Sequence, residues 1–233
     1  MRTTRPLALV TGGSRGIGRA ICRALGPSHR VLVGATAAAG ARRVAEALPD
    51  ADVFVADLVD ERAVARACAG IDRLDLLVHS AGVAVSGDVA DTPRAEWERV
   101  LALNVTAVAD LSRRLLPALR AAEGLVVTIN SGAGLVAGPG SAAYSASKFA
   151  LRAFSDALRA EERGRVRVCS IHPGRVDTDM QRELWERAGA AEYRGSQHLS
   201  PDAVAAAVLA VVQAGPEAAV EQLSIRPPVQ HDP

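Results

Sequence analysis

Short, continuous apolar runs along the chain alternate with longer stretches in which apolar residues recur every three or four positions. Runs at residues 6–10, 30–34, 53–56, 74–78, 125–129, 166–171 and 222–225 end at glycine, proline or polar clusters. They predict strands buried on both faces. Helical periodicity fills the intervals. Residues 16–25 set Ile17, Ala20, Ile21, Ala24 and Leu25 on one face and stop at Gly26-Pro27. An alanine-rich helix is expected over 37–48, and a helix capped by Asp60 is expected to reach Ala69. Thr92-Pro93 reads as N-cap and first-turn proline of a long helix running to about Arg120, with Pro117 placed to kink its end. Residues 141 to about 163 make the next helix, and Ser200-Pro201 opens the last. Strand and helix alternate without a linker or an internal repeat. The pattern predicts an α/β fold, a doubly wound parallel sheet of about seven strands with helices on both faces, in a single domain over 1–233. The proline-rich tail from Pro227 is expected to fray.

Composition narrows the function without choosing it. The 233 residues carry a net charge of +1, which gives no electrostatic case for a nucleic-acid partner. Cys22, Cys68 and Cys169 are widely spaced and show no metal-ligand pattern, and His172, His198 and the carboxylates add none, so no metal site is expected. The cysteines read best as small buried hydrophobes in a reducing compartment. The first residues, Met1-Arg2-Thr3-Thr4-Arg5 and then an apolar run, imitate a signal peptide, but the run is too short for one. No stretch has the length of a membrane span. The expectation is a cytoplasmic protein that engages no membrane.

Chemistry enters at two places. Thr11-Gly12-Gly13-Ser14-Arg15-Gly16-Ile17-Gly18 follows the first strand and opens the first helix. Glycines at 12, 16 and 18 permit a tight turn, close approach of a pyrophosphate to the backbone, and close helix–strand packing, while the helix N-terminus offers free N–H groups. A plain strand-to-helix turn is the structural alternative. Farther on, Tyr144 and Lys148 lie four residues apart on one predicted helix, and Lys148 is the sole lysine of the chain. A cation beside a phenol is expected to lower the phenol's pKa toward the range of an acid–base catalyst.

These stretches, with Asp57-Leu58, Ala81-Gly82, Asn104, Ser131 and Pro173-Gly174-x-x-x-Thr178, resemble the short-chain dehydrogenase/reductase family, in family order and over residues 6 to about 180. The likeness is nearest to compact reductases of the 3-oxoacyl-acyl-carrier-protein reductase type. It implies a single-domain Rossmann fold and a catalytic set. Tyr144 would be the general acid, Lys148 would hold the nicotinamide ribose, Ser131 would orient the carbonyl, and Asn104 would hold a relay water. Asp57 would bond the adenine with Leu58 packed beside it, and Val176 and Thr178 would meet the carboxamide. Each has a plainer alternative: Ser131 a turn residue, Asn104 a bridge across a bent helix, Asp57 a strand-end cap.

The family usually has Asn-Asn where this chain has His79-Ser80; Ser80 can still contact the adenosine ribose, and His79 reads as a buried strand residue. The second strand ends at Gly34-Ala35-Thr36 with no carboxylate for a ribose 2′-hydroxyl, while Arg15 suits a 2′-phosphate. NADP(H) is therefore favoured over NAD(H), with Arg15 on a solvated helix start as the alternative. The resemblance makes residues 178–199, with Met180, Leu184, Trp185, Tyr193 and Gln197, a substrate lid. Small residues Ala143, Ser147, Ala150 and Ala153 on the catalytic helix suggest a homodimer or homotetramer. The function expected is NADPH-dependent reduction of a small-molecule carbonyl. The alternatives are NAD-dependent alcohol oxidation in the same family, an isomerase or dehydratase using bound cofactor, and a non-catalytic NADP(H)-binding sensor.

Overall fold

The computed structural model describes residues 5–187, 193–215 and 217–228. The expected signal-like start, most of the proline-rich tail and part of the expected lid lie outside them. Seven strands form one sheet: β1 (Leu7–Val10), β2 (Arg30–Ala35), β3 (Ala51–Val55), β4 (Leu76–His79), β5 (Leu125–Ile129), β6 (Arg167–Pro173) and β7 (Gln222–Ile225). The spatial order is β3-β2-β1-β4-β5-β6-β7, and every pairing is parallel. The order reverses between β1 and β4, the point at which such sheets open a crevice beyond the strand C-termini.

Eight helices cover the sheet among the described residues: α1 (Gly16–Leu25), α2 (Ala38–Ala45), α3 (Glu61–Cys68), α4 (Arg94–Leu101), α5 (Ala107–Ala122), α6 (Ala142–Glu161), α7 (Asp179–Arg187) and α8 (Pro201–Gln213). Strand alternation sends successive side chains to opposite faces. Val10, Val78, Val127 and Ile171 join Ile21 and Leu25 of α1 and Val204 and Val208 of α8 in one apolar cluster. Leu9, Leu77, Val126 and Val168 join Leu111, Leu115 and Leu119 of α5 and Leu158 of α6 in the other. Burying each of these larger side chains stabilises the fold by about 1.5–3 kcal/mol, so the two layers hold the sheet rigid beneath the site.

Two expectations are corrected. The long helix is two helices joined by a π-helical turn, Ala102–Thr106. Its first turn begins at Arg94 with Pro93 in the cap position, and the Thr92 hydroxyl donates instead to the carbonyl of Asp88. Pro117 lies near the end of α5, which stops at Ala122, as expected. The caps at Asp60 and Ser200 form as expected: the Asp60 carboxylate accepts from the N–H groups of Arg62 and Ala63, and the Ser200 hydroxyl from that of Ala203. Among the described residues no helix is long and apolar enough to cross a membrane, and no cluster of metal-ligating side chains exists.

Candidate active site

The glycine loop turns from β1 into α1 with Gly12 at φ 65° and Gly16 at φ 52°, a region L-residues rarely adopt. A Cβ on Gly18 would stand 2.2 Å from the Gly12 carbonyl oxygen, so α1 can meet β1 this closely only through glycine. Arg15 is the cap residue of α1 but caps it with no side chain, and the first turn holds no carboxylate. The free N–H groups and the positive end of the helix dipole thus face outward without an internal partner, an arrangement suited to a phosphate. Behind the loop, the Thr11 hydroxyl accepts from the backbone N–H groups of Ser80 (3.0 Å) and Ala81 (3.1 Å), tying β1 to the end of β4.

A cleft of about 570 Å³ lies over this junction. Gly12, Ser14, Arg15, Gly16, Ile17 and Gly18 line it from the loop, Thr36 from the end of β2, Asp57 and Leu58 from the end of β3, Ser80, Ala81 and Gly82 from the end of β4, and Thr178 from the far side. Its size and its glycine floor fit a dinucleotide. Asp57 also closes a local turn by accepting from the N–H of Val59 at 3.2 Å. Directly after β2, through residue 45, there is no carboxylate, and among the described residues no ion pair joins an acidic group to the exposed Arg15. Arg99, Ala102, Leu103 and Met180 also line the cleft. Met180 belongs to the expected lid; Arg99, Ala102 and Leu103 were missed because nothing in the local sequence marks the inner side of α4 and of the π-helical turn.

The predicted catalytic residues Ser131, Tyr144 and Lys148 lie outside the cleft wall, and Lys148 comes nearest it at the Gly82 end, where a Cβ on Gly82 would stand 4.0 Å from Nζ. Lys148, only 6% exposed, donates from Nζ to the Ile129 carbonyl oxygen at 3.1 Å and sits 5.7 Å from the centre of the Tyr144 ring. Burial pulls its pKa down from 10.5 to about 8. The pKa of the Tyr144 phenol is raised: burial is the larger influence, and the nearby Ser131 hydroxyl offsets part of it. The expected lowering by the lysine is therefore corrected, because desolvation of the buried phenol outweighs any help from the neighbouring charge. Pro173 and Val176 are buried at the end of β6 and just after it, and Gly174 donates its N–H to the Ile225 carbonyl, at the edge of the site rather than in the cleft wall.

Asn104 is 1% exposed in the π-helical turn. Its amide accepts from the Val83 N–H (2.9 Å) and donates to the Val83 carbonyl (2.9 Å) and to the Ser147 hydroxyl (3.0 Å). Its side chain thus holds the strand-end loop against α6. Ser147 in turn donates to the Tyr144 carbonyl at 2.7 Å. Ala143 and Ser147 are buried within the chain, and Ser147 meets Asn104 of the π-helical turn there. His79, on β4, is buried against the Ser112 hydroxyl at 2.9 Å, and desolvation lowers its pKa to about 3, which keeps it neutral.

A family model described as short chain dehydrogenase matches residues 6–189. Cyclopentanol dehydrogenase of Comamonas testosteroni is 34% identical over 197 residues, covering 78% of this chain and 78% of its own. The 3-oxoacyl-acyl-carrier-protein reductase FabG of Pseudomonas aeruginosa is 35% identical over 191 residues, 77% of each. Among solved structures, the RhlG/NADP active-site complex of Pseudomonas aeruginosa superposes with a TM-score of 0.86 at 30% identity, covering 97% of this chain and 96% of that one.

Proposed function

The chain belongs to the short chain dehydrogenase family and is an NAD(P)-dependent oxidoreductase, and from that premise we propose that it reduces a ketone to a secondary alcohol with NADPH. The observation that carries this reading is the grouping of Ser131, Tyr144 and Lys148 next to the Gly82 end of a dinucleotide-sized cleft. The cofactor would be held by Gly12, Ser14, Gly16, Ile17 and Gly18 at its pyrophosphate, by Asp57, Leu58, Ser80, Ala81 and Gly82 around the adenosine, and by Lys148, Pro173, Gly174, Val176 and Thr178 near the nicotinamide. Arg15 and Thr36 would receive the 2′-phosphate. NADP in the RhlG complex and the missing carboxylate after β2 support that choice. A bound NADPH supplies the hydride.

The protein's own groups manage the oxygen. The Ser131 hydroxyl accepts from the Ala133 N–H at 3.1 Å, so its own proton is directed away from the backbone, toward the phenol or a substrate carbonyl. Tyr144, with its raised pKa, is protonated at neutral pH and serves as the acid. As hydride reaches the carbonyl carbon, the C=O π pair moves to oxygen, the new O–H forms there, and the phenol O–H breaks. Ser131 and the neighbouring Lys148 stabilise the phenolate left behind. Asn104 keeps the Val83 loop and α6 in register around this group. The whole chain acts as one dinucleotide-binding domain, and α7 with the turn Gly195–Gln197 forms a lid in which the Tyr193 hydroxyl donates to Asp177 at 2.9 Å. We further propose a homodimer or homotetramer.

Fluorescence titration with NADPH and NADH, followed by a ketone panel including cyclopentanone and ethyl acetoacetate, tests the proposal. Tight NADPH binding and NADPH oxidation with a member of the panel are expected. Tyr144→Phe should bind NADPH within a few-fold of wild type and lose turnover by roughly 10²–10⁴-fold. Normal turnover in that variant would sink the mechanism, preference for NADH would overturn the cofactor assignment, and binding of neither would remove the enzymatic reading.

A further inference from the structure

Both backbone polar groups of Ser131 belong to a closed ring of hydrogen bonds made by three buried side chains outside the catalytic set. Asn130, Ser170 and His172 are 4%, 1% and 0% exposed. The directions of the bonds follow from chemistry. The Ser131 carbonyl oxygen only accepts, so His172 Nδ1, 3.1 Å away, carries the proton and donates it. His172 Nε2 is then a lone-pair acceptor, and the Ser170 hydroxyl 3.0 Å away donates to it. The Ser170 oxygen accepts from the Asn130 amide nitrogen, the longest link at 3.5 Å, and Asn130 Oδ1 accepts from the Ser131 N–H at 2.9 Å. The ring thereby closes on the residue where it began, and it sets the histidine tautomer and the asparagine amide orientation together.

The ring is itself held. Arg226, just past β7, donates to the His172 carbonyl at 2.6 Å, and Asn130 donates its backbone N–H to Ile171 at 2.8 Å. A Cβ on Gly134 would come 2.6 Å from Asn130 Oδ1, so the turn after Ser131 closes directly onto the ring. Ser131 is extended, at φ −163° and ψ 160°. With its N–H and C=O both fixed, the direction of its Cα–Cβ bond is fixed too, and the bond that Oγ accepts from the Ala133 N–H then sets where the hydroxyl lies. A chain needing only a turn here would not bury a histidine, an amide and a hydroxyl to hold two backbone groups, since each buried polar group costs stability unless it is satisfied.

We infer that Asn130, Ser170 and His172 are positioning residues that act on carbonyl reduction solely through Ser131. The inference rests on Ser131 being the carbonyl-orienting group proposed above. It predicts non-additivity, because residues acting as one unit lose their effect once that unit is gone.

The test is a double-mutant cycle on the full chain, with kcat measured at saturating NADPH on the ketone of the panel that wild type reduces fastest. Circular dichroism and the NADPH Kd of each variant accompany it. His172→Leu should lower kcat roughly tenfold and leave the NADPH Kd within a few-fold. Ser170→Ala, a small change that spares the strand, should lower it by a smaller factor. His172→Asn, whose amide nitrogen can replace Nδ1–H toward the Ser131 carbonyl, should restore most of the rate. In a Ser131→Ala background, His172→Leu and Ser170→Ala should change kcat by less than about twofold. Equal losses with and without the Ser131 hydroxyl, or no recovery with His172→Asn, would overturn the inference while leaving Ser131 catalytic. Wild-type turnover in Ser131→Ala alone would instead refute the catalytic role on which it rests.

Discussion

Replacing Lys148 with methionine should stabilise the free protein while removing its turnover. The amine is buried, and its pKa falls from 10.5 to about 8, a gap of about 2.5 pH units. At about 1.36 kcal/mol per unit, holding the ammonium there costs roughly 3 kcal/mol at neutral pH. Methionine keeps the unbranched stem and its packing but gives up the bond to the Ile129 carbonyl, worth about 1 kcal/mol. The net gain is about 2 kcal/mol, or about 4–8 °C in Tm for a chain of this size. The sign of the pH dependence is fixed as well. Below about pH 8 the amine is charged in both folded and unfolded states, and the penalty is constant. Between about 8 and 10.5 the folded protein sheds a proton that the unfolded chain keeps, so wild type gains stability as pH rises and the gap to the variant closes. About 1.5 pH units above the folded value, at pH 9.5, the gap should be smaller than at pH 7 by about 2 kcal/mol. Thermal melts of both proteins without cofactor at the two pH values read this directly, and turnover of the variant should fall roughly a hundredfold or more. A variant that melts at or below the wild-type temperature at pH 7, or a gap independent of pH, would refute the reasoning. Lys148 would then be a solvated, fully charged group.

Arg15→Ala should weaken NADPH binding roughly ten- to thirtyfold and leave NADH unchanged by fluorescence titration; equal loss for both would move Arg15 from the 2′-phosphate to the pyrophosphate. Gly18→Ala sets a Cβ 2.2 Å from the Gly12 oxygen, so the loop must shift, and NADPH affinity should drop by roughly a hundredfold or more; unchanged affinity would mean the loop does not carry the cofactor. Glu162, 1% exposed at the end of α6, accepts from two nitrogens of Arg120 at 2.9 and 2.5 Å, and that partner holds its carboxyl below the usual range. Glu162→Gln should cost roughly 1–3 kcal/mol in urea unfolding at pH 7. The wild-type advantage is full above about pH 4.5 and fades as pH falls through the lower folded value, and a variant as stable as wild type at pH 7 would show the pair to be inert.

What was legible in the sequence is what local chemistry dictates. Seven apolar runs became seven parallel strands, because a sheet covered on both faces leaves no polar alternation to confuse the pattern. The glycine loop was legible because its φ values and its contact with β1 exclude any side chain. The rest was hidden because it depends on partners far along the chain. The π-helical turn adds a residue to a helix of ordinary composition, and only the grip of Asn104 on Val83 and Ser147, 21 and 43 positions away, gives that turn its purpose. The Thr11 hydroxyl looked like part of a glycine motif until Ser80 and Ala81 were brought against it.

The direction of the Tyr144 shift was misjudged for a related reason. Spacing on a helix says that a lysine is near, but only burial says how much charge it keeps and how costly the phenolate would be. A protonated phenol at neutral pH is the form a reductase needs from its acid, so the correction strengthens the reading of this site in the reductive direction. The ring around Ser131 follows the same logic. Asn130, Ser170 and His172 each look like ordinary strand-end residues, and their joint role exists only because β5 and β6 pair in the register that sets Thr128 beside Ser170 and Ile129 beside Ile171. Shifting that register by one residue would turn Ser170 and His172 to the opposite face of the sheet, break the ring, and leave Ser131 held by its own turn alone.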